Sequence, residues 1–280
     1  MLNVNDRSDA VGVRRSYVRF AALGDSATFG IGDPLPGRCR GWARLLADAM
    51  RQDHDVSFHN VARPGATVAD VRYEQLRPAL QHRPHVASLI VGLSDVMRAS
   101  WDADRIRADL LKSAGELSAH GALLLTARFH DHSRVLGLPR LLARRMQHRI
   151  DELNGIFDEI HHRFGGVYVD LGAHPGVYDR EFWSVDRLHP SELGHRALAD
   201  EYAAHLSALG LSFQPPGLSC DGLHLSRLDE VRWLVREGFP RLGRRLLDRA
   251  ELAIQSTCSR VRSLTQANVD VAYVLGDGMS

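Results

Sequence analysis

The sequence predicts an α/β fold in which a five-stranded parallel sheet lies between two layers of helices. Short apolar runs alternate with longer helical segments, and this alternation is typical of a parallel sheet with helices on both faces. The run at 86–91 is β-branched and apolar on both of its faces, as a central parallel strand should be. The predicted strands are residues 17–23, 56–61, 86–91, 122–126 and 167–170.

The predicted helices fill the intervals between these strands. Thr67 and Ser191 each stand at the start of a helical segment, where a hydroxyl can accept a hydrogen bond from a free backbone N–H. Gly121 is well placed to end the helix before the fourth strand. Residues 128–139 are expected to form a loop. The predicted helices are residues 41–52, 67–81, 103–120, 141–163 and 191–209.

The chain is expected to consist of one domain with an addition at each end. Residues 1–15 are interpreted as a disordered leader and residues 16–210 as the domain itself. Residues 211–280 are interpreted as a linker, rich in proline and glycine at 215–217, followed by a C-terminal helical extension. The helix expected at 227–255 has an apolar side, so it should pack on the domain or on a second subunit, which would make a homo-oligomer.

The composition is ordinary for a soluble globular protein and indicates no highly charged partner. Hydrophobic residues make up 44% and charged residues 25% of the 280 residues, and the net charge is +1. We therefore expect no nucleic-acid or membrane partner, and we interpret Arg144-Arg145 as part of a solvated helix face. No apolar run reaches the roughly 18 residues that a membrane span requires.

The cysteines and the first residues bear on the cellular compartment. Three cysteines without framework spacing do not indicate a disulfide scaffold, and they fit a reducing compartment. The polar residues 1–9 lack the apolar stretch of a signal peptide. The sequence thus predicts a cytoplasmic protein.

Two separated motifs together predict a hydrolytic triad. Gly24-Asp25-Ser26 directly follows the first strand, and Asp186 and His189 stand three residues apart in a later loop. A triad needs a hydroxyl oxygen that attacks, an imidazole that takes its proton and a carboxylate that orients the imidazole. Either motif alone is weak, because Gly-Asp-Ser is also an ordinary capped turn and Asp-x-x-His an ordinary solvated loop.

Two further turns strengthen this interpretation because they fall at the same edge of the predicted sheet. Arg63-Pro64-Gly65-Ala66 follows the second strand, and Gly92-Leu93-Ser94-Asp95 follows the third. Turns that leave parallel strands lie at the carboxyl edge of the sheet, where open α/β sheets bind their ligands. The serine and the two turns are therefore expected to lie close together.

These four blocks resemble those of the SGNH, or GDSL, hydrolase family. The family carries Gly-Asp-Ser, a turn glycine, Gly-x-Asn-Asp and Asp-x-x-His in this order, and the resemblance covers about residues 16–208. It implies that Ser26 is the nucleophile and that Asp186 and His189 complete the triad. It also implies a flavodoxin-like three-layer α/β/α sandwich, the SGNH hydrolase fold, with a five-stranded parallel sheet.

The resemblance further implies an oxyanion hole made by the backbone N–H groups of Ser26 and Gly65 together with residue 94. Glycine suits position 65 because a side chain there would crowd the substrate. The family's oxyanion asparagine falls on Ser94 in this chain, so the third donor is a hydroxyl instead of an amide.

Three more residues are candidates for substrate binding. Asp25 adjoins the nucleophile, His130 stands in the loop after the fourth strand, and Trp183 shortly precedes the Asp186–His189 pair. An aromatic residue such as Trp183 is also ordinary core packing. The chain has neither a Gly-x-Gly-x-x-Gly nor a Walker sequence, so no nucleotide cofactor is indicated and no cofactor is expected.

The segment around His130 and His132 also suggests a metal site. His-x-His on an extended segment places both imidazoles on one face, and the intervening aspartate could add an oxygen ligand. No third and fourth ligand follow at a diagnostic spacing. We therefore expect no metal and assign the two histidines to a lid or a pocket rim.

Three functions follow from these observations. The first is a serine hydrolase or acyltransferase that acts on a small-molecule acyl ester or thioester through a Ser26 acyl-enzyme. The second is a catalytically weakened relative that binds an acylated ligand or partner, for which Ser94 is the support. The third, more distant, is a metal-dependent hydrolase that uses His130 and His132.

Overall fold

A computed structural model describes residues 15–35 and 38–221. Its main sheet has five parallel strands in the spatial order β4-β1-β5-β6-β7, with β1 and β5 at the centre. The predicted five-stranded parallel sheet is confirmed, and each strand ends within two residues of its predicted limits. The strands of this sheet are β1 (Tyr17–Gly24), β4 (Asp55–Asn60), β5 (Val86–Ile90), β6 (Leu123–Arg128) and β7 (Val167–Asp170).

The helices form two layers, one on each face of the sheet. Helix α2 packs against α9, and α6 packs against α8, which is the arrangement that right-handed crossovers produce for this strand order. The helices are α1 (Ser26–Phe29), α2 (Gly41–Met50), α3 (Val68–Asp70), α4 (Leu76–Gln81), α5 (Leu93–Val96), α6 (Ala103–Ala119), α7 (His132–Leu136), α8 (Arg140–Phe164) and α9 (Glu192–Ala208).

Several short elements were not expected from the sequence. A two-stranded hairpin, β2 (Pro34–Leu35) and β3 (Arg38–Cys39), follows α1. The helix predicted at 67–81 contains a π-helical turn at Val71–Gln75 between α3 and α4. The loop predicted at 128–139 contains α7, which is capped by Asp131 and ends at the left-handed Gly137. A 3-10 turn, Arg180–Phe182, also lies in the loop before the His189 motif.

The core is continuous across the sheet and both helix layers. Phe20 and Leu89, on the two central strands, are fully buried. Trp42 on α2 and Tyr202 on α9 have ring centroids 5.1 Å apart, and the Tyr202 hydroxyl donates to the carbonyl of Thr126 on β6 (2.7 Å). The layer that carries α9 is thereby fixed to the sheet beneath it, and the loop that precedes α9 is fixed with it.

Residues 211–221, part of the predicted linker, have no helix or strand, yet they are fastened to the domain. Leu211 and Phe213 are buried, and Asp221 forms ion pairs with Arg40 (2.9 Å) and with Arg196 on α9. The predicted leader and the predicted C-terminal helix, with the oligomer contact expected from it, lie outside the described residues. No helix within the described ranges is long and apolar enough to cross a membrane.

Candidate active site

Ser26 stands where the chain turns sharply from the central strand β1 into α1. Gly24 ends the strand, and a Cβ at this position would lie 2.4 Å from the carbonyl oxygen of Ile90 on β5, so only glycine fits. Asp25 caps the helix by accepting a hydrogen bond from the N–H of Ala27 (3.1 Å). The turn places Ser26 at the carboxyl edge, at the point between β1 and β5 where the strand order reverses, which is the ligand-binding crevice of such sheets.

His189 is held by a closed loop that leads into α9. The N–H of Ser184 donates to the carbonyl of His189 (2.8 Å), and the N–H of Ser191 donates to the carbonyl of Phe182 (2.9 Å). Ser191 also caps α9, as its sequence position predicts, by accepting a hydrogen bond from Gly194 N–H. These bonds fix the backbone on both sides of His189, so the orientation of its ring depends on the fold and not on a free loop.

Ser26, His189 and Asp186 form one continuous chain of hydrogen bonds. His189 Nδ1 donates to Asp186 Oδ2 (2.6 Å), and Ser26 Oγ lies 2.8 Å from His189 Nε2. An ionised carboxylate only accepts hydrogen bonds, so Asp186 fixes the proton on Nδ1 and leaves Nε2 able to accept the serine proton. The structure thus brings together the three residues that the two sequence motifs predict as a triad.

Asp186 is kept ionised by its own hydrogen bonds. Its second oxygen, Oδ1, accepts from the Ser184 hydroxyl (2.6 Å) and from the N–H groups of Leu188 (2.9 Å) and His189 (3.1 Å). Burial alone would raise the pKa of this carboxyl, but the hydrogen bonds and the electrostatic interaction with His189 outweigh it and lower the pKa to about 2. Asp186 therefore carries a full charge toward the imidazole at any pH near neutrality.

The two backbone N–H groups that the sequence predicts as oxyanion donors belong to Ser26 and Gly65. Neither Ser26 N–H nor Gly65 N–H has a hydrogen-bond partner among the described residues. Gly65 has φ +75°, a left-handed backbone conformation that favours glycine, and nothing lies within 4 Å of the place where its Cβ would be. The carbonyl of Gly65 accepts from the guanidinium of Arg98 (3.0 Å), which holds the turn from its other side.

Ser94, the position of the family's asparagine, lies in α5 directly after the strand β5. It is half-buried, and its hydroxyl makes no hydrogen bond to a described residue. Its neighbour Asp95 accepts a hydrogen bond from the N–H of Val68 (3.0 Å), which joins the turn after β5 to the turn after β4. Ser94 therefore stands on a turn that is braced by its neighbour, and its hydroxyl is not committed to another described residue.

Asp95 is a residue of this site that the sequence interpretation did not single out. Its pKa is raised to about 6, chiefly by burial and in smaller part by the nearby carboxylate of Asp25, against the opposing effect of the Val68 N–H. Burial likewise raises the pKa of Asp25 to about 6. The Gly-x-x-Asp spacing at 92–95 contained this aspartate, but only the fold shows that it ties two turns together.

The three candidates for substrate binding are all buried. The exposed fractions of Asp25, His130 and Trp183 are 5%, 4% and 6%, so none of them lines an open rim in this structure. Asp25 acts as a helix cap. Trp183 donates from Nε1 to the carbonyl of Val177 (2.6 Å) and packs against the rings of His130 and His132, at centroid distances of 4.8 Å and 5.0 Å.

His130 and His132 form a buried pair beneath the loop that carries His189. Their Nε2 and Nδ1 atoms are 2.8 Å apart, and the remaining ring nitrogens, His130 Nδ1 and His132 Nε2, have no partner among the described residues. Burial lowers the pKa of His130 to about 4 and that of His132 to about 3, so both rings are neutral. The expected lid or rim position is therefore wrong, because the two rings lie inside the fold.

The structure offers no support for a metal at these histidines. No group of three or more histidine, cysteine, aspartate or glutamate side chains within the described ranges is arranged to hold an ion. The two imidazoles satisfy each other by a hydrogen bond, which occupies the nitrogens that face one another. A two-histidine site is also short of the three or four protein ligands that zinc sites use.

The fold and the three side chains at its carboxyl edge define the class of protein, a carboxylic ester hydrolase built on a parallel α/β sheet. The sequence pattern of the GDSL-like lipase/acylhydrolase family matches residues 22–197, which include Ser26, Gly65, Asp186 and His189. This match covers more than half of the chain, and the protein therefore belongs to that family. A search of the curated proteins finds no match.

Solved structures share the fold at low sequence identity. The lipase/acylhydrolase from Enterococcus faecalis has a TM-score of 0.56 and 21% identity, with 71% of this chain and 98% of that chain covered. A catalytic mutant of Axe2, an acetylxylan esterase from Geobacillus stearothermophilus, has a TM-score of 0.56 and 17% identity, with 70% and 95% covered. LAE5, an α/β hydrolase from the metagenome of Lake Arreo, Spain, has a TM-score of 0.56 and 17% identity, with 69% and 96% covered.

Proposed function

We propose that this protein cleaves a carboxylic ester through a covalent acyl-enzyme on Ser26. The observation that carries the proposal is the unbroken hydrogen-bond chain from Ser26 Oγ to His189 Nε2 (2.8 Å) and from His189 Nδ1 to Asp186 Oδ2 (2.6 Å). A nucleophile in contact with a base that is itself oriented by a third group is the arrangement that activates a serine. Membership of a family of acylhydrolases supports the same chemistry.

The reaction proceeds in two balanced halves. Ser26 Oγ forms a bond to the ester carbonyl carbon while its proton passes to His189 Nε2, and the carbonyl oxygen becomes an oxyanion. The oxyanion collapses, the bond to the alcohol breaks, and His189 returns the proton to the departing oxygen. A water molecule then attacks the acyl-enzyme, again giving a proton to His189, and the carboxylic acid leaves as Ser26 regains its proton.

The backbone supplies the stabilisation of the oxyanion in both halves. The free N–H groups of Ser26 and Gly65 are fixed by the turn after β1 and the turn after β4, so they need no reorganisation when the charge develops. The Ser94 hydroxyl is the third donor in this proposal. A hydroxyl can rotate away where an amide cannot, so Ser94 is expected to be the weakest of the three donors.

The same chemistry allows more than one kind of acyl substrate and more than one acceptor of the acyl group. A thioester can be attacked in the same way as an oxygen ester, and an alcohol or an amine can take the place of water in the second half. We propose hydrolysis of oxygen esters as the main activity, since the family and structural neighbours such as the acetylxylan esterase Axe2 are ester hydrolases. Binding of an acylated ligand without turnover is the competing function.

A fluorophosphonate probe tests this proposal directly. The probe should label the protein covalently, and peptide mass mapping should place the label on Ser26. The matched controls are Ser26→Ala, which should not be labelled, and Ser184→Ala, which leaves the nucleophile in place and should still be labelled. Labelling that survives in Ser26→Ala would place the nucleophile elsewhere. An unlabelled protein that binds an acyl ester and does not hydrolyse it would support the binding function instead.

A further inference from the structure

Helix α8 begins outside the core of the protein. It contains 25 residues, Arg140–Phe164, and a helix of this length extends about 37 Å. Its first buried residue is Met146, and five of the six residues at 140–145 are exposed. Residues 140–145, the α8 overhang, therefore precede the buried part of the helix and are largely exposed to solvent.

The overhang lies at the edge of the sheet that carries the candidate active site. The chain leaves β6 at Arg128 and enters β7 at Val167, and these two strands are parallel neighbours. Helix α8 must therefore run back from the carboxyl edge to the amino edge, so its first residues lie at the carboxyl edge. Ser26 leaves β1 at the same edge.

The overhang combines exposed leucines with uncompensated positive charge. Leu141 is 83% exposed and Leu142 is 54% exposed. Arg140, Arg144 and Arg145 are exposed, and none of them forms an ion pair with another residue in the described part of the chain.

The first turn of α8 contains no acidic residue to offset these arginines. Since the N-terminal end of a helix is already positive, the basic side chains are placed where they cost stability and where an anionic partner would be favoured. No carboxylate within residues 15–35 and 38–221 forms an ion pair with these arginines to offset this cost.

We propose that the α8 overhang docks on the surface of an anionic lipid bilayer. The two leucines would enter the boundary between headgroups and acyl chains, and the long arginine side chains beside them would reach the lipid phosphates. A second copy of this chain is a poor occupant, because a symmetric contact would bring two sets of arginines together. The expectation of no membrane partner came from a net charge near zero, which averages over the molecule and misses this local excess.

Docking would place the carboxyl edge of the sheet next to the bilayer, where acyl esters are concentrated. The surface itself does not rest on the proposed hydrolase function, since it is defined by exposure and charge alone. The two proposals can therefore fail separately: binding to vesicles is measured without turnover, and turnover of a water-soluble ester is measured without vesicles.

Vesicle co-sedimentation of the full-length Ser26→Ala protein tests the docking surface. We expect binding to vesicles of phosphatidylglycerol with phosphatidylcholine, weak binding to phosphatidylcholine alone, and release by salt. Arg144→Gln/Arg145→Gln should lower the affinity for the anionic vesicles about thirtyfold, because two basic residues are lost from the contact. Leu141→Gln/Leu142→Gln should also lower it by at least tenfold, because the apolar contact is lost.

The control is Leu209→Gln/Leu218→Gln, which removes two exposed leucines (53% and 52%) outside the overhang. It should keep the parental affinity. Equal affinities of the overhang and control variants would overturn the proposal and assign any lipid binding to another part of the chain. Failure of the parental protein to bind anionic vesicles would overturn it as well. A dimer that dissociates in Leu141→Gln/Leu142→Gln would show that a second copy covers the overhang instead.

Discussion

Ser26 Oγ and His189 Nε2 lie 2.8 Å apart although 163 residues separate them along the chain. The contact joins the start of α1, directly after the first strand, to the loop that precedes α9. We expect Ser26→Ala and His189→Ala each to reduce kcat by several orders of magnitude, because the two residues act as one unit in the attack. The double variant should be little slower than either single variant in an aryl ester assay, with circular dichroism as the check on folding. Losses that multiply would show that the two residues do not act on the same step.

The hydrogen bond from His189 to Asp186 predicts that a substitution of Asp186 lowers kcat and leaves KM nearly unchanged. Asp186→Asn should lower kcat by about 10² to 10⁴ with little change in KM, because an amide can stabilise the wrong tautomer of the imidazole and carries no charge to balance the imidazolium. Ser184→Ala is the milder comparison, since it removes one hydrogen bond to Asp186 Oδ1 and leaves the contact to His189. A loss of less than about tenfold in Asp186→Asn would mean that another acceptor orients His189.

Ser94 tests how much the third oxyanion donor contributes. A full donor is worth about 10² to 10³ in rate, and a free hydroxyl should give less, so Ser94→Ala should cost under about tenfold in kcat on a small aryl ester. Ser94→Asn should raise kcat, because the amide N–H reaches farther and cannot rotate away. A large loss in Ser94→Ala would show that the hydroxyl is already a well-placed donor, and a loss in Ser94→Asn that the pocket is shaped around serine.

The close approach of Gly32 to Pro190 indicates that the loop after α1 fixes the position of the loop that carries His189. A Cβ at Gly32 would lie 1.9 Å from the carbonyl oxygen of Pro190, beside His189, and Gly32 has φ +103°. Gly210 has a similar φ of +95° with nothing within 4 Å of its Cβ position, so Gly210→Ala carries the backbone strain without the collision. Gly32→Ala should lower both kcat and the melting temperature more than Gly210→Ala does. Equal effects in the two variants would show that the loop after α1 and the His189 loop can move apart without a further loss of activity or stability.

The buried histidines predict that acid destabilises the protein. His132 has a pKa of about 3 when folded, against 6.5 for a free imidazole, so between these values the unfolded chain binds a proton that the folded protein does not. The free energy of unfolding should therefore fall as the pH drops below 6.5, by at most about 1.4 kcal/mol per pH unit for this group.

The measurement is urea unfolding of three proteins at several pH values between neutrality and mild acid. His132→Gln should make the unfolding free energy less dependent on pH, since it removes one of the protons that the unfolded chain gains. His148→Gln, which changes an exposed histidine on α8, should keep the parental slope. The same slope in His132→Gln and in the parental protein would mean that His132 is charged in the fold.

The sequence predicted the sheet and the triad because both depend on local signals. Apolar strands, capping hydroxyls at Thr67 and Ser191, and the two catalytic motifs are each readable within a few residues, and parallel pairing then puts their turns at one edge. The burial and the contacts of a side chain are harder to predict from the sequence, because they depend on segments that are distant along the chain. His130 was expected at a rim, but the ring of Trp183, more than fifty residues later, covers it.

Asp95 was missed for a related reason. Its carboxylate accepts a hydrogen bond from the N–H of Val68 in the turn after β4, which is two strands away in the sheet. Residues 92–95 alone give no sign of that partner. The α8 overhang shows the converse case: its arginines were correctly predicted to be exposed, but only the position of Met146 shows that they precede the buried part of the helix.

The hydrogen bond between His130 and His132 restricts where their protons can be. Two neutral imidazoles that share one hydrogen bond hold a single hydrogen between them, so their outer nitrogens must be in opposite states, one bearing hydrogen and the other a bare lone pair. The pair consequently has two tautomeric arrangements, and a change in one ring forces the opposite change in the other. The nitrogen NMR shifts of the two rings should therefore change together, because a single tautomeric equilibrium sets both. The two arrangements differ in the direction of the pair's dipole beneath the His189 loop.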